Sequence, residues 1–174
     1  MRFDLEDLNL DVRAAAVADV PLLMSFIRSM AEFENLDLTA TEENLRDALF
    51  GKHPAAKALL AFVGEKPAAY VVYFPTFATM TGRRGLWLDD IYVKPEYRGK
   101  GIAKALLTYL ADVAVREGCG RFEWIVLDWN RNAIELYEGL GATVFDEWRL
   151  CRLTGESLES LARQRPDVED GAQP

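Results

Sequence analysis

Apolar residues recur along the chain at two different spacings, which predict a mixed order of helices and strands. An apolar position every three or four residues predicts helices over residues 21–34, 41–51, 102–114, 130–141 and 156–162. Short apolar or alternating runs predict strands over residues 11–14, 58–63, 68–74, 86–93, 122–127, 142–145 and 148–153. The order, with hairpin strands early and β-α-β-α-β late, predicts an α/β or α+β sheet with helices on its faces.

Local signals agree with several of these boundaries. Asp19 stands at the N-cap of the first helix, with Pro21 in its first turn, where a missing N–H costs little. Gly64 to Pro67 forms a turn between two apolar strands, which indicates an antiparallel hairpin. Asn130 has the position and side chain of an N-cap, and Gly141 ends that helix.

Length and composition predict one globular domain. The 174 residues contain no internal repeat or linker, so we predict a domain over 11–163, a flexible segment over 1–10 and a disordered tail over 164–174. The formal net charge of −8 disfavours nucleic acid and anionic lipid as partners. The longest apolar runs are strand-sized, the N-terminus lacks a secretory pattern, and the two cysteines show no metal or disulfide spacing. We therefore predict a cytoplasmic protein without a metal, and we interpret the lone His53 as structural.

The segment after the strand at 86–93 carries the clearest chemical signal. A basic turn, Arg98-Gly99-Lys100-Gly101, leads directly into a helix with a broad apolar stripe. Unpaired N–H groups at a helix N-terminus bind phosphate, and glycine lets the backbone approach it closely. The spacing fits neither the Walker A pattern nor the dinucleotide fingerprint, whose third glycine is replaced by Lys104. On the loop alone, a tight turn that needs glycine only for its geometry stays open as an alternative.

Arg98-x-x-Gly101-x-Ala103 matches the [QR]-x-x-G-x-[GA] motif, and with it the chain resembles the GNAT superfamily of N-acetyltransferases. Within it, the chain looks most like the diamine (spermidine/spermine) and thialysine acetyltransferases. The segments that carry this likeness are Ala31-Glu32-Phe33-Glu34, Gly51-Lys52-His53-Pro54, Leu88-Asp89-Asp90, Tyr97-Arg98-Gly99, Trp129-Asn130, Ile134-Glu135-Leu136-Tyr137, Gly141-Ala142 and Trp148-Arg149-Leu150. The resemblance implies a GNAT fold, with a mixed, mostly antiparallel sheet of six to seven strands flanked by helices on both faces.

The resemblance also implies acetyl-CoA as co-substrate and assigns residues to it. The backbone of the strand end would bind the pantetheine arm, and the glycine loop the pyrophosphate. Asn130 would contact the cofactor from the start of its helix, a role compatible with simple N-capping. The full set of cofactor-binding residues is Ile91, Tyr92, Val93, Arg98, Gly99, Lys100, Gly101, Ile102, Ala103, Lys104, Asn130, Ala133 and Tyr137.

Tyr137 is the candidate general acid. A phenol, with an ordinary pKa of about 10, can protonate a departing thiolate, whose conjugate acid has a pKa of about 8.5 or slightly higher. Tyr137 matches the tyrosine of the family's Ile-x-x-Tyr pattern before Gly141-Ala142. It also belongs to an apolar helical stripe, so a core tyrosine is the alternative interpretation.

Carboxylates supply the candidate acceptor site. The resemblance maps Asp89 onto a glutamate that deprotonates the amine, here one methylene shorter, and Asp90 onto an adjacent amine-binding carboxylate. Strand alternation predicts that these two side chains point to opposite faces, and two edge carboxylates in water are the plain alternative. The set of substrate-binding residues is Phe33, Glu34, Asp89, Asp90, Glu123, Trp124 and Ile125, with Asp89 also catalytic.

Together these features predict an N-acetyltransferase that acts on a small cationic amine, such as a diamine, a polyamine or a thialysine-like compound. A protein or peptide N-acetyltransferase of the same fold is the nearest alternative, and a CoA-binding module without catalysis is a more distant one. By analogy with the family we expect a homodimer that binds neither nucleic acid nor membrane.

Overall fold

The computed structural model describes residues 2–5 and 8–166. The chain divides into two compact units, one up to Leu136 and one from Tyr137 onward. The strands are β1 (Arg2–Leu5), β2 (Leu8–Ala14), β3 (Lys57–Val63), β4 (Lys66–Ala78), β5 (Arg83–Val93) and β6 (Arg121–Glu123). The helices are α1 (Val20–Glu34), α2 (Glu42–Phe50), α3 (Ile102–Arg116), α4 (Arg131–Gly139) and α5 (Gly155–Ala162).

The first unit is built on one sheet whose strands follow chain order from β1 to β6. Neighbouring strands from β1 to β5 pair antiparallel, and β6 pairs parallel with β5 after the crossover through α3. A parallel pair needs such a crossover, because a tight hairpin can only join antiparallel strands. The predicted mixed, mostly antiparallel sheet is confirmed.

One face of the sheet is covered by α1 and α2. Phe26 of α1 is almost fully buried, and its ring lies 5.4 Å from that of Tyr70 on β4 and 6.3 Å from that of Tyr92 on β5. Leu49 of α2 joins the same cluster. These apolar and aromatic contacts hold the middle of α1 against the sheet where β4 and β5 pair.

The opposite face is covered by α3. Tyr73 is an odd number of residues from Tyr70 along β4 and therefore points the other way. Its pKa is raised by burial and then by the nearby Tyr109 and Glu117, both on or just after α3. Glu117 also reaches Lys57 of β3 at 3.8 Å. Helices thus flank both faces of the sheet, as predicted.

Two predicted helix starts differ in how they are capped. The Thr41 hydroxyl accepts a hydrogen bond from the Asn44 N–H, so it caps α2. Asp19 does occupy the N-cap of α1, but its carboxylate accepts hydrogen bonds from the Arg13 guanidinium and the Ala16 N–H instead of from the helix. The adjacent ion pair competes for the side chain that was predicted to cap the helix.

The second unit contains the end of α4, which crosses the boundary, and α5. Leu140 and Ala142 both donate their N–H groups to the Tyr137 carbonyl oxygen, which closes α4 before Gly141. The predicted strands over 142–145 and 148–153 are wrong, since neither segment forms a strand. Alternation creates a strand only where another strand pairs with its backbone. Here several of the apolar side chains are exposed, among them Phe145, Trp148 and Leu150.

Five of the seven predicted strands are therefore present, and β1 adds a strand within the segment expected to be flexible. The predicted strand over 122–127 is correct only at its start, because pairing with β5 ends at Glu123. Residues 167–174 of the predicted tail, and residues 1, 6 and 7, lie outside the described ranges. None of the helices within those ranges is long and apolar enough to cross a membrane.

Candidate active site

A glycine turn joins the end of β5 to the start of α3. Gly99 and Gly101 have φ of 72° and 80°, in the left-handed region that favours glycine. A Cβ on Gly99 would meet no atom within 4 Å, so that side of the turn is open. Gly101 is the N-cap of α3 and has no side chain to cap it, which leaves the first N–H groups of the helix directed outward. The turn therefore presents an anion site made of backbone donors and the helix dipole.

Strand β5 has one edge that is only partly paired. On one side β4 pairs with it over nearly its whole length. On the other side β6 pairs only with Gly85 to Trp87. Among the described strands, none pairs with that second edge over Leu88–Val93. The edge offers N–H and C=O groups to an extended ligand, and it ends at the glycine turn.

A β-bulge lies where the partly paired edge begins. Val72 of β4 is opposite Asp90, and the next residue, Tyr73, is opposite Leu88, so Asp89 is an extra residue with no partner in the register. A bulge interrupts the regular alternation of side chains. As a result Asp90 and Trp87, three positions apart, lie on the same face of the sheet. The strict alternation from which opposite faces were predicted for Asp89 and Asp90 therefore does not hold at this position.

Asp90 accepts a hydrogen bond from a buried tyrosine. The hydroxyl of Tyr70 lies 3.1 Å from its Oδ2 and 3.3 Å from the Met30 sulfur of α1. Burial, and then the charges of Asp89 and Glu34, raise the pKa of Asp90 to about 6, against the opposing effect of the Tyr70 hydrogen bond. Burial also raises the pKa of Glu34. Three carboxylates therefore share one electrostatic environment at the end of α1, and each favours a bound cation.

The predicted basic residues of the turn lie in different surroundings. The guanidinium of Arg98 lies 4.5 Å from the Phe33 ring centroid and 5.5 Å from that of Tyr92, and its Nε donates to the Val93 carbonyl at 3.0 Å. The ammonium of Lys100 lies 5.5 Å from the Tyr97 ring centroid. Lys104 is exposed in the first turn of α3.

The remaining predicted residues lie on or after β6. Glu123 forms an ion pair with Arg121 at 2.6 Å, the Trp124 ring lies 4.9 Å from that of Phe122, and Ile125 is half exposed. The Asn130 side chain accepts from the Ala133 N–H at 3.4 Å, which confirms it as the N-cap of α4. Tyr137 is buried, and as the first residue of the second unit it is described with that unit.

Comparison with known proteins decides the family. The model of the acetyltransferase (GNAT) family matches residues 25–142, which contain the bulge, the partly paired edge and the glycine turn. The chain belongs to the GNAT acetyltransferase family. It is 38% identical to a thialysine N-epsilon-acetyltransferase of Sus scrofa, over 87% of this chain and 96% of that protein. It is 34% identical to an L-ornithine N5-acetyltransferase of Arabidopsis thaliana, over 86% of each.

A solved structure agrees on the fold. An integron cassette protein from the mobile metagenome of V. cholerae superposes with a TM-score of 0.74 at 25% identity, covering 88% of this chain and 98% of that one. The predicted resemblance is thus confirmed for the family and for its thialysine-acetylating members. The chain is an acetyltransferase.

The geometry fits the donor that GNAT acetyltransferases use. Coenzyme A carries a pyrophosphate, which suits the open turn at Gly99 and the N-terminus of α3. Its pantetheine arm carries amides, which can hydrogen-bond to the partly paired edge of β5 in the way that an added strand does. Both features are local to one stretch of chain, so a single ligand can reach both.

Sequence reasoning missed three side chains of the site. Tyr70 donates a hydrogen bond to the Asp90 carboxylate, and the Met30 sulfur contacts the same hydroxyl. The Trp129 ring lies 5.7 Å from the Phe33 ring. Each of them contacts an element distant in sequence. Tyr70 lies within the apolar run that predicted this strand, but only the structure shows that it lies beside Asp90.

We predict that Asp90→Asn stabilises the protein at pH 8. The amide keeps an oxygen for the Tyr70 hydroxyl and removes a carboxylate whose pKa is raised in the folded state. A raised carboxylate pKa means that folding favours the protonated form, so wild-type stability falls as pH rises from about 4 to about 6. The variant should exceed the wild type by about 1–2 kcal/mol at pH 8 and lose that advantage towards pH 4.

Urea unfolding between pH 4 and pH 8 measures this difference. Glu65→Gln, which removes an exposed carboxylate in the β3–β4 turn, is the matched control and should change little. A variant less stable than wild type at pH 8, or a difference that does not depend on pH, would contradict the interpretation.

Proposed function

We propose that this protein transfers the acetyl group of acetyl-CoA to a primary amine of a small cationic substrate, by direct attack of the amine. The observation that carries the proposal is the gathering of Glu34, Asp89 and Asp90 at the bulge, where the partly paired edge of β5 begins. The glycine turn lies at the other end of the same edge. An anion site and a cation site thus lie along one strand.

The donor contributes an acetyl thioester that is reactive towards amines. On the protein side, the N–H groups from Ile102 to Lys104 would hold the pyrophosphate, with the exposed Lys104 adding charge. The backbone of Ile91 to Val93 would pair with the pantetheine arm. Asn130 and Ala133, at the start of α4, would complete the cofactor site. Held in this way, the reacting groups gain the large rate advantage of alignment.

The acceptor amine must lose a proton before it attacks. Asp89 is exposed at the bulge, which supports it as the group that takes this proton, directly or through water. Asp90 has a pKa of about 6 and lies next to Asp89. It would bind the ammonium form of the substrate and share with Asp89 the proton that the amine loses. Phe33 and Glu34, at the end of α1, would form a wall of the same site.

The departing thiolate must gain a proton, and we assign this role to Tyr137. Its hydroxyl is the general acid in this proposal. The match of Tyr137 to the family's Ile-x-x-Tyr pattern before Gly141-Ala142 supports the role.

The relatives support the class of acceptor. The thialysine and L-ornithine acetyltransferases are named for substrates that carry a primary amine and a second cationic group. Several carboxylates suit such compounds, because each cationic centre can meet its own partner. Diamines and polyamines share this chemistry, and they belong to the same proposed class.

We predict that acetyl-CoA turnover depends on a cationic amine and on Asp89. Free-thiol release would be followed with putrescine, spermidine, thialysine, ornithine, a neutral primary amine and a short peptide. One of the dicationic amines should give the highest kcat/KM, and Asp89→Asn should lower that value by about 100-fold. Glu65→Gln is the matched control and should behave like the wild type.

If every small amine fails while acetyl-CoA binds, the small-amine proposal is wrong. Turnover of the peptide alone would then establish the alternative, a protein or peptide N-acetyltransferase.

We further predict that Tyr137→Phe lowers kcat by about 100-fold or more, because the phenyl ring keeps the packing and loses the proton donor. Tyr109→Phe on α3 is the control for the loss of a phenol elsewhere. CoA affinity, measured by calorimetry, should stay within about threefold of wild type, since the hydroxyl acts mainly on the leaving group. Near-native kcat at every pH would remove Tyr137 from the mechanism.

A further inference from the structure

The hydroxyl of Tyr70 lies between a carboxylate and a thioether. Tyr70 is fully buried on β4, and its ring lies 5.4 Å from that of Phe26. Its hydroxyl oxygen is 3.1 Å from the Asp90 Oδ2 and 3.3 Å from the Met30 sulfur. Burial, and then the charge of Asp90, raises the pKa of Tyr70, so the phenol keeps its proton throughout the neutral pH range.

The pairing register brings this hydroxyl to the carboxylate. Tyr70 is opposite Tyr92 in the β4–β5 ladder, and Asp90 is opposite Val72. Tyr70 and Asp90 are therefore diagonal neighbours on the α1 face, at a separation that an aromatic side chain can span. The apolar cluster around the Tyr70 ring keeps the hydroxyl in one place. Its bond engages Oδ2 of Asp90 and leaves Oδ1 available to a substrate cation.

A phenol has one proton to share between these two neighbours. An ionised carboxylate is a much stronger acceptor than a thioether, so the Tyr70 proton points to Asp90 while that group is ionised. When Asp90 is protonated, its O–H can donate to the Tyr70 oxygen, and the Tyr70 proton can turn to the Met30 sulfur. The hydroxyl thus has a partner in both states, but the charge-assisted bond favours the ionised state of Asp90.

The other surroundings of Asp90 oppose its ionisation. Burial and then the charge of Asp89 raise its pKa, the Tyr70 hydrogen bond lowers it, and the charge of Glu34 raises it, with a net value of about 6. Among these influences, the bond from Tyr70 is the one that favours the charged carboxylate. Without it, a larger share of Asp90 would be protonated near neutral pH.

Two cations lie on the same face of the sheet, and each contacts an aromatic ring. The Lys94 ammonium is 5.2 Å from the Phe26 centroid, and the Arg98 guanidinium is 5.5 Å from the Tyr92 centroid. The influences that set the pKa of Asp90 come from Tyr70 and from neighbouring carboxylates, not from these cations. A substrate ammonium would therefore be the counter-charge of Asp90.

We propose that Tyr70 is a positioning residue of the acceptor site, whose hydroxyl holds Asp90 in the ionised form that binds the substrate ammonium, with the Met30 sulfur as the alternative acceptor of its proton. This inference rests on the proposed function for the identity of the bound cation. Its consequence depends on pH. Near neutral pH the hydroxyl sets the fraction of Asp90 that can bind a cation, and above about pH 8 Asp90 is ionised without it.

Carboxyl ¹³C NMR measures the titration of Asp90 without turnover, and Asp90→Asn identifies its signal. Tyr70→Phe keeps the ring and loses the hydroxyl, so the Asp90 titration should move up by about one pH unit. Met30→Leu keeps an apolar side chain of similar volume and loses the alternative acceptor, so the titration should move down by about half a pH unit. Tyr73→Phe, which removes a hydroxyl from the other face of β4, is the matched control and should leave the Asp90 titration unchanged.

The KM for the amine provides a second readout, with the best substrate of the panel above. At pH 6.5, Tyr70→Phe should raise this KM about threefold, because the ionised fraction of Asp90 falls by about that factor. At pH 8.5 the KM should match that of the wild type, since Asp90 is then ionised in both proteins. Alkylamines, with a pKa of about 10, are cationic at both pH values, so the substrate charge does not change. The KM for acetyl-CoA should be the same in both proteins.

An Asp90 titration that Tyr70→Phe leaves in place or moves down would overturn the proposal. An amine KM raised equally at pH 6.5 and pH 8.5 would also overturn it, because the hydroxyl would then act through packing. If Met30→Leu moves the titration up, the role assigned to the sulfur is wrong.

If the wild type binds acetyl-CoA but acetylates no amine, the proposed function fails. The NMR titration then decides alone whether Tyr70 holds Asp90 ionised, so the two failures are distinguishable.

Discussion

The arrangement of the candidate site depends on one extra residue in strand β5. Because Asp89 has no partner on β4, the side chains on either side of it are displaced from strict alternation. Asp90 is thereby brought onto the face of Tyr70, at the end of α1, and accepts a hydrogen bond from the Tyr70 hydroxyl. The same strand loses its β6 partner after Trp87. A carboxylate site and an available backbone edge consequently begin at the same point of the chain.

This arrangement lowers the stability of the folded protein and supplies groups that can bind charged ligands. Asp90 is held where burial and neighbouring charge disfavour its ionised form. A carboxylate of this kind gains most from a bound cation, because the ligand supplies the counter-charge that the protein does not. The glycine turn has the converse character, since it gathers backbone donors that favour an anion. The acetyltransferase therefore presents two regions of opposite preference along one strand, which suits the proposed reaction between an anionic donor and a cationic acceptor.

Sequence reasoning worked best where the determinants are local. The apolar stripe of α1, the helix start at Thr41 and the glycine turn before α3 each depend on residues close together in the chain, and each is present. Sequence reasoning was less successful where the pairing of strands decides whether a segment becomes a strand. Residues 148–153 alternate like a strand, yet lie in no strand, because alternation does not supply a partner.

The candidate site shows the same limit. Asp89 and Asp90 could be selected from the sequence, but not the bulge between β4 and β5 that sets their directions. The contact of Tyr70 with Asp90 spans 20 residues, and that of Phe33 with Arg98 joins a helix to a distant turn. Such contacts follow from register and packing, which a single sequence does not reveal.

Amide hydrogen exchange with and without CoA tests the central claim most directly, because it reads the backbone of β5 itself. If the edge over Leu88–Val93 and the turn at Gly99 form the donor site, CoA should slow exchange in residues 88–93 and 99–104. The β2–β3 pair, on the other side of the sheet, should exchange as before. Tight CoA binding that leaves residues 88–93 unchanged would contradict the account, because the donor would then lie elsewhere.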